Sequence, residues 1–226
     1  PWQAKYLDRL AIFYAGATED SPAAPPPEAL DAENVSFSYS GTPVLENLDF
    51  HMNASENVLL QGPNGCGKST LLSLLAGLEA PDSGKICTGA PPSALRKAVA
   101  LQEQDGAIFS GTVWDNLFLP EEKRENAAGL LAEMTFEKPL NTPVTSGGGN
   151  LSPGERKKLL LVRSLLREAP FLLLDEPLNH LDAAGRAALG RYLAGRTGIL
   201  LVSHQEPDLP GLSFRPFSLA VSTSKK

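Results

Sequence analysis

The nine residues GPNGCGKST, positions 62–70, constrain this chain more than any other stretch. Gly62, Gly65 and Gly67 supply backbone that side chains would obstruct, so successive N–H groups can turn toward one point. The apolar run NVLLQ comes just before, and STLLSLLAG, built of helix formers and closed by Gly77, comes just after. A strand feeding a glycine loop that opens a helix places the positive end of that helix at the same point. Such a loop is a cradle for an anion, and the pattern G-x-x-x-x-G-K-S in this setting specifies the phosphates of a nucleoside triphosphate.

Within the cradle Lys68 reaches the terminal phosphates, the Ser69 hydroxyl suits a magnesium ion seeking octahedral oxygen ligands, and Thr70 assists at the α- or β-phosphate. Cys66, beside the helix N-terminus, has the setting of a reactive thiolate. The stretch FLLLDEP ends on Asp175 at the sheet edge where the cradle opens, the place for a carboxylate toward the water of magnesium. Glu176 follows directly, placed to accept a proton from the attacking water or to orient it. His204 closes ILLVSH at a matching strand end and is a candidate for holding that water or the γ-phosphate.

NVLLQ, FLLLD and GILLVSH are short and continuously apolar, as strands buried on both faces of a parallel sheet are. Helical segments separate them, which predicts an α/β domain with ligands at the carboxyl ends of the strands. Ahead of them NVSFSYS alternates Val35, Phe37 and Tyr39 with small polar residues, and SGTP follows as a turn, predicting an antiparallel opening sheet. The segment from Thr112 to about Met134 is mixed and helical, an insertion between two halves of the parallel sheet. LSPGERKK carries a capping box, with Ser152 at N-cap, Pro153 at N1 and Glu155 at N3, and Leu159, Val162 and Leu166 follow along one face. Residues 1–30 read as a short helix with Leu7, Leu10 and Tyr14 on one side, then a proline-rich extended linker.

A net charge of −6 gives no reason to expect attraction to nucleic acid or anionic lipid. The two cysteines, Cys66 and Cys87, form no disulfide framework and lack zinc-site spacing, which fits a reducing, cytosolic setting. No apolar run approaches the roughly 20 residues of a membrane-spanning helix, and no signal-peptide pattern is present.

Ser152 and Gly154 in LSPGE, lying between the glycine loop and FLLLDEP, complete a series that resembles the nucleotide-binding domains of ABC transporters, whose signature motif is written L-S-G-G-Q. The resemblance covers about residues 31–205, with the motifs in the order of the family. It implies a P-loop NTPase core with a mainly parallel sheet, an N-terminal antiparallel β subdomain and an inserted helical subdomain at roughly 107–168. The ATPase domain would run over 31–222 and leave 223–226 as a disordered tail. Tyr39 is similar to the aromatic residue that stacks on adenine. Gly62, Pro63, Asn64, Gly65, Cys66, Gly67, Lys68, Ser69 and Thr70 match the phosphate loop. Gln104 resembles the Q-loop glutamine that contacts magnesium and water, Gln102 being the weaker candidate by its spacing to Phe109. Asp182, ending LNHLD, matches the D-loop, and His204 the switch histidine.

The implied ligands are ATP and Mg2+, and the implied device is a head-to-tail dimer, homomeric or heteromeric. The signature helix of one subunit caps the γ-phosphate held by the other. Pro153 and Glu155 depart from the glycine and glutamine of the family. A negative Glu155 near a phosphate is costly unless it turns toward the Ser152 backbone, as a capping box permits. IFSGTVWDNL and GGGNLSPGE resemble exporters, and YLDRLAIFY with its linker resembles the cytoplasmic end of a last membrane helix. The expected assembly is an exporter whose transmembrane domain belongs to the same polypeptide, on the cytoplasmic face of a bacterial inner membrane. The rival readings are a soluble ribosome-associated ABC protein, from DEPLNHLD, and a separate importer ATPase subunit.

Overall fold

A computed structural model describes residues 27–87 and 91–220. The expected N-terminal helix, most of the linker and the 223–226 tail therefore lie outside the described residues. The elements run β1 (Ala29–Tyr39), β2 (Thr42–Asn53), β3 (Val58–Gln61), α1 (Lys68–Leu75), β4 (Ser83–Ile86), α2 (Pro92–Ala98), β5 (Val99–Gln102) and β6 (Gly111–Thr112). They continue with α3 (Arg124–Glu133), β7 (Pro143–Val144), α4 (Pro153–Leu165), β8 (Phe171–Asp175), α5 (Ala183–Leu193), β9 (Ile199–Val202) and β10 (Arg215–Ser218).

The opening sheet is antiparallel, in the order β2-β1-β4. Ser40 and Gly41 join β1 to β2 with φ of 50° and 82°, the mirror-image turn whose twist matches a hairpin. Strand β4, which the sequence reading did not separate, reaches β1 through Gly84; a Cβ there would lie 2.3 Å from the Asn34 carbonyl oxygen.

The second sheet is parallel, in the order β10-β3-β9-β8-β5. Its inner strands β3, β9 and β8 are buried on both faces because their side chains alternate between two cores, while the edge strand β10 is largely exposed. On β8, Phe171 and Leu173 enter the core shared with the antiparallel sheet and α1, while Leu172 and Leu174 enter the core shared with α3, α4 and α5. β3 and β9 divide in the same way, with Leu60 and Val202 on one side and Leu59 and Leu201 on the other. The three strands read from the sequence are β3, β8 and β9. β5 is an addition, its small residues Val99 and Ala100 making AVALQ a weak signal.

Between β5 and β8 the chain forms three 3-10 turns, at Asp115–Leu117, Glu121–Lys123 and Ser146–Gly148, together with α3, the small β6–β7 ribbon and α4. Among the described residues no helix is long and apolar enough to cross a membrane.

Two-sided burial has a measurable signature. Leu173→Ala and Leu174→Ala, which point into opposite cores, should each cost about 2–5 kcal/mol in urea unfolding. A strand with one solvated face would show the loss at only one of the two positions.

Candidate functional site

The carboxyl ends of β3, β8 and β9 meet along one edge, and the cradle opens there. Gly62, Gly65 and Gly67 take φ of 155°, 76° and 99°. At Gly62 a Cβ would sit 2.6 Å from the Leu219 carbonyl oxygen, a backbone atom that cannot yield, and at Gly67 the φ of 99° itself disfavours any residue with a Cβ. Lys68 begins α1, and its ammonium folds back over the loop, donating to the Gly62 and Pro63 carbonyls at 2.8 and 3.0 Å. The cation is therefore held inside the curve where phosphates would lie.

Cys66 departs from the expectation of a reactive thiolate. Its side chain is 1% exposed and packs in the core, so only its backbone can face the cradle. The thiol points inward because the space beside it, over Gly62, carries no side chain.

Ser69, the second residue of α1, donates its hydroxyl to the Asp175 carboxylate. That carboxyl is raised above its ordinary range by burial, which outweighs the opposing Ser69 bond and the Lys157 and Lys68 charges. Ser69, Thr70, Gln104, Asp175 and Tyr39 line one cleft of about 880 Å³. Tyr39 is 46% exposed at its mouth and is braced edge-on by Phe37, with ring centroids 4.8 Å apart. Gln104 is exposed beside this cleft. Gln102 is instead buried, its amide donating to the Asp175 backbone carbonyl at 3.3 Å and to the Glu103 carbonyl.

Glu176 is 7% exposed and sits at φ 49°, a left-handed conformation that costs an ordinary residue roughly 1–2 kcal/mol. Burial raises its carboxyl above the usual range, opposed first by His204. Its Oε1 lies 3.1 Å from His204 Nε2, off hydrogen-bond alignment, and is left as a buried acceptor with no protein hydrogen bond. An orphaned acceptor at this edge is what a bound water would satisfy.

Ser152 and Gly154 lie in a separate recess, with Thr135, Glu155, Lys158 and Asp182, and no cradle residue reaches it. The capping box is complete: Ser152 Oγ accepts from the Glu155 N–H at 3.2 Å, and Glu155 Oε2 accepts from the Ser152 N–H at 2.7 Å. Lys138 pairs with the other Glu155 oxygen at 3.0 Å. Partial burial would raise this carboxyl, but the Ser152 and Lys138 bonds prevail and hold it below its ordinary value. Gly154 abuts the His180 carbonyl, which a Cβ would approach to 3.2 Å. Asp182 is engaged by its own chain. Its Oδ1 caps α5 through the Gly185 N–H at 2.7 Å, and its Oδ2 accepts from Lys158 at 2.8 Å and the Thr135 hydroxyl at 3.0 Å.

A family model described as ABC transporter matches residues 45–179, which takes in the cradle, the capped helix start and the Asp175–Glu176 edge. The chain belongs to the ABC transporter family. It is 38% identical over 192 residues to the ABC transporter ATP-binding protein RamB of Streptomyces coelicolor, covering 80% of this chain and 32% of RamB. To the aliphatic sulfonates import ATP-binding protein SsuB of Cupriavidus pinatubonensis it is 34% identical, covering 94% of this chain and 75% of SsuB. A solved bacterial Atm1-family ABC exporter with ATP bound shares the fold, with a TM-score of 0.75 and 24% identity over 91% of this chain and 40% of that one. The chain thus spans about a third of the length of RamB.

Lys157 of this ABC ATP-binding domain escaped the sequence reading, and Gln102, weighed there only as the weaker Q-loop candidate, takes a buried place of its own. Gln102 ends β5 and Lys157 stands in the second turn of α4, and both reach the Asp175 carbonyl, Lys157 at 3.1 Å. Burial lowers the Lys157 ammonium to about 8 against the pull of Asp175, Glu176 and Asp105. The sequence carried no signal for it, because Lys157 stands on the side of α4 opposite the Leu159, Val162 and Leu166 stripe, where a lysine reads as solvated; both Lys157 and Lys158 are buried.

Asp182 gives a pH test. Its carboxyl is lowered from 3.8 to about 2, first by the Lys158 bond and then by the Gly185 N–H. A folded-state value below the unfolded one stabilises fully above the unfolded value and is lost as pH falls toward the folded one. Asp182→Ala should lower stability by about 0.5–2 kcal/mol near pH 7. In urea unfolding the gap from the parent should narrow as pH drops from 3.8 toward 2.

Proposed function

We propose that this domain binds and hydrolyses ATP with magnesium and powers an ABC exporter at the cytoplasmic face of a bacterial inner membrane. It works as one of a pair of nucleotide-binding domains joined to transmembrane segments. The observation that carries hydrolysis is the buried Glu176 oxygen that takes no protein hydrogen bond, 3.1 Å from His204, on the edge where Ser69 meets Asp175. Membership of the family and the glycine cradle support nucleotide binding.

Tyr39 stacks on the base, and the Gly62–Thr70 loop surrounds the phosphates with N–H groups while Lys68 exchanges its carbonyl partners for the terminal phosphates. The Ser69 hydroxyl and the Asp175 carboxylate are hard oxygen donors that fit magnesium, with Gln104 beside them. Magnesium, when bound, neutralises charge on the β- and γ-oxygens. Glu176 holds the attacking water and takes its proton, an exchange favoured by a carboxyl already raised by burial. His204 steadies Glu176 and the γ-phosphate.

Ser152 and Gly154 lie in a recess apart from the cradle of their own chain, so their helix N-terminus serves the nucleotide of a second copy. Glu155 is compatible with that neighbour because its carboxylate is already shared between Ser152 and Lys138. Hydrolysis removes charge from the junction, and the pair opens.

Export is favoured by the likeness of IFSGTVWDNL and GGGNLSPGE to exporter sequences. Import through a separate ATPase subunit is the second reading, favoured by the 75% coverage of SsuB. Membrane-spanning segments encoded in the same reading frame support the first reading, and their absence there supports the second.

Glu176→Gln should bind ATP as the parent does and hydrolyse it roughly 10²–10⁴-fold more slowly. It should also accumulate an ATP-bound dimer in sedimentation velocity. Undiminished steady-state turnover would remove Glu176 from the reaction.

A further inference from the structure

The steps above make no use of the Lys157 ammonium. A buried lysine is expensive to retain, and replacing such a group by an apolar side chain of similar volume is often neutral or stabilising for folding. Lys157 is 4% exposed, and its Nζ donates to a backbone carbonyl, that of Asp175, at 3.1 Å.

That carbonyl belongs to the peptide joining Asp175 to Glu176, and both ends of this peptide are pinned. The oxygen accepts from Lys157 on α4 and from Gln102 at the end of β5. The nitrogen, that of Glu176, donates to the Val202 carbonyl at the end of β9 at 3.2 Å. Glu176 itself occupies a strained left-handed conformation at φ 49°. Strain of that kind persists only where the surroundings over-determine the backbone. Releasing one pin lets the peptide plane rotate, and the Glu176 carboxylate swings with it. A displacement of about 1 Å in a catalytic group can cost on the order of 10²-fold in rate.

We infer that Lys157 is a positioning residue for hydrolysis, holding the Asp175–Glu176 peptide so that the Glu176 carboxylate stays aimed at the attacking water. This rests on the ATPase reading above and adds to it a mechanical link. Lys157 stands five residues beyond Ser152 on one rigid helix, about 7.5 Å along its axis. A shift of α4 as Ser152 engages the nucleotide of a second copy therefore reaches Glu176 through one hydrogen bond.

Lys157→Met keeps the length and apolar stem and removes the donor. Three quantities decide the matter: the thermal midpoint, the affinity for a fluorescent ATP analogue with and without Mg2+, and steady-state hydrolysis. The expected result is a retained cooperative unfolding transition, affinity within about twofold under both conditions, and kcat lower by about tenfold or more with KM unchanged. Lys157→Gln, polar but too short to reach the carbonyl, carries the same expectation and decides the question where the methionine variant does not fold. A kcat within about twofold of the parent overturns the inference and leaves the role of Glu176 standing. A parallel loss of affinity and kcat, the pattern of local collapse, overturns it as well. A parent chain that binds ATP without hydrolysing it overturns the proposed function, and this inference with it.

Discussion

Burial of β3, β8 and β9 on both faces is the constraint from which the rest of the molecule follows. With Leu59, Leu172 and Leu201 facing one core and Leu60, Leu173 and Leu200 facing the other, no polar side chain has a place along the strands. Polar chemistry is displaced to their carboxyl ends, where the backbone leaves the sheet. Gly62 follows β3, Asp175 and Glu176 close β8, and His204 follows β9. Because the three strands are hydrogen-bonded neighbours with fixed register, these residues meet at one edge whatever the intervening chain does. The hydrophobic pattern thereby sets the geometry of the polar site.

Electrostatics at that edge is a matter of local compensation rather than net charge. The chain carries −6 overall, yet the buried Asp175 carboxylate has Ser69, Lys157 and Lys68 nearby, and the Glu176 carboxyl has the His204 imidazole 3.1 Å away. The same arrangement recurs in the second recess, where Lys138 and the Ser152 N–H share Glu155, and Lys158 holds Asp182. A phosphate arriving at either place meets fields already balanced, and the N–H groups of Gly62–Thr70 or of the α4 start then add to the attraction.

What the sequence revealed was local in character. The glycine loop, the strand ends at Asp175 and His204 and the capping box of Ser152 and Glu155 depend on residues within a turn or two of each other, and each could be read directly. β4 and β5 were missed because, unlike the equally short β3 and β9, they carry no run of large apolar residues and take their identity from their partners: Lys85 becomes a strand residue only opposite Glu33, and Ala100 only opposite Leu172. The burial of Cys66 depends on Gly62 and the core beneath it, and the engagement of Asp182 depends on Lys158 and Thr135, a contact across 24 and 47 positions. Lys157 is the extreme case, since a lysine in a helix reads as a solvated charge until the strand end beneath it is known.

The central claim is that one chain supplies the cradle and another the helix tip that completes it. It is tested most directly by mixing two variants, Lys68→Ala, with a damaged cradle, and Ser152→Arg, with a blocked helix start. Each alone should hydrolyse ATP far more slowly than the parent. An equimolar mixture contains pairs with one intact cradle facing one intact helix tip, and should recover on the order of a quarter of the parent rate if the subunits pair at random. A Ser152→Arg chain as active as the parent, or a mixture of folded variants that recovers nothing, would contradict the account.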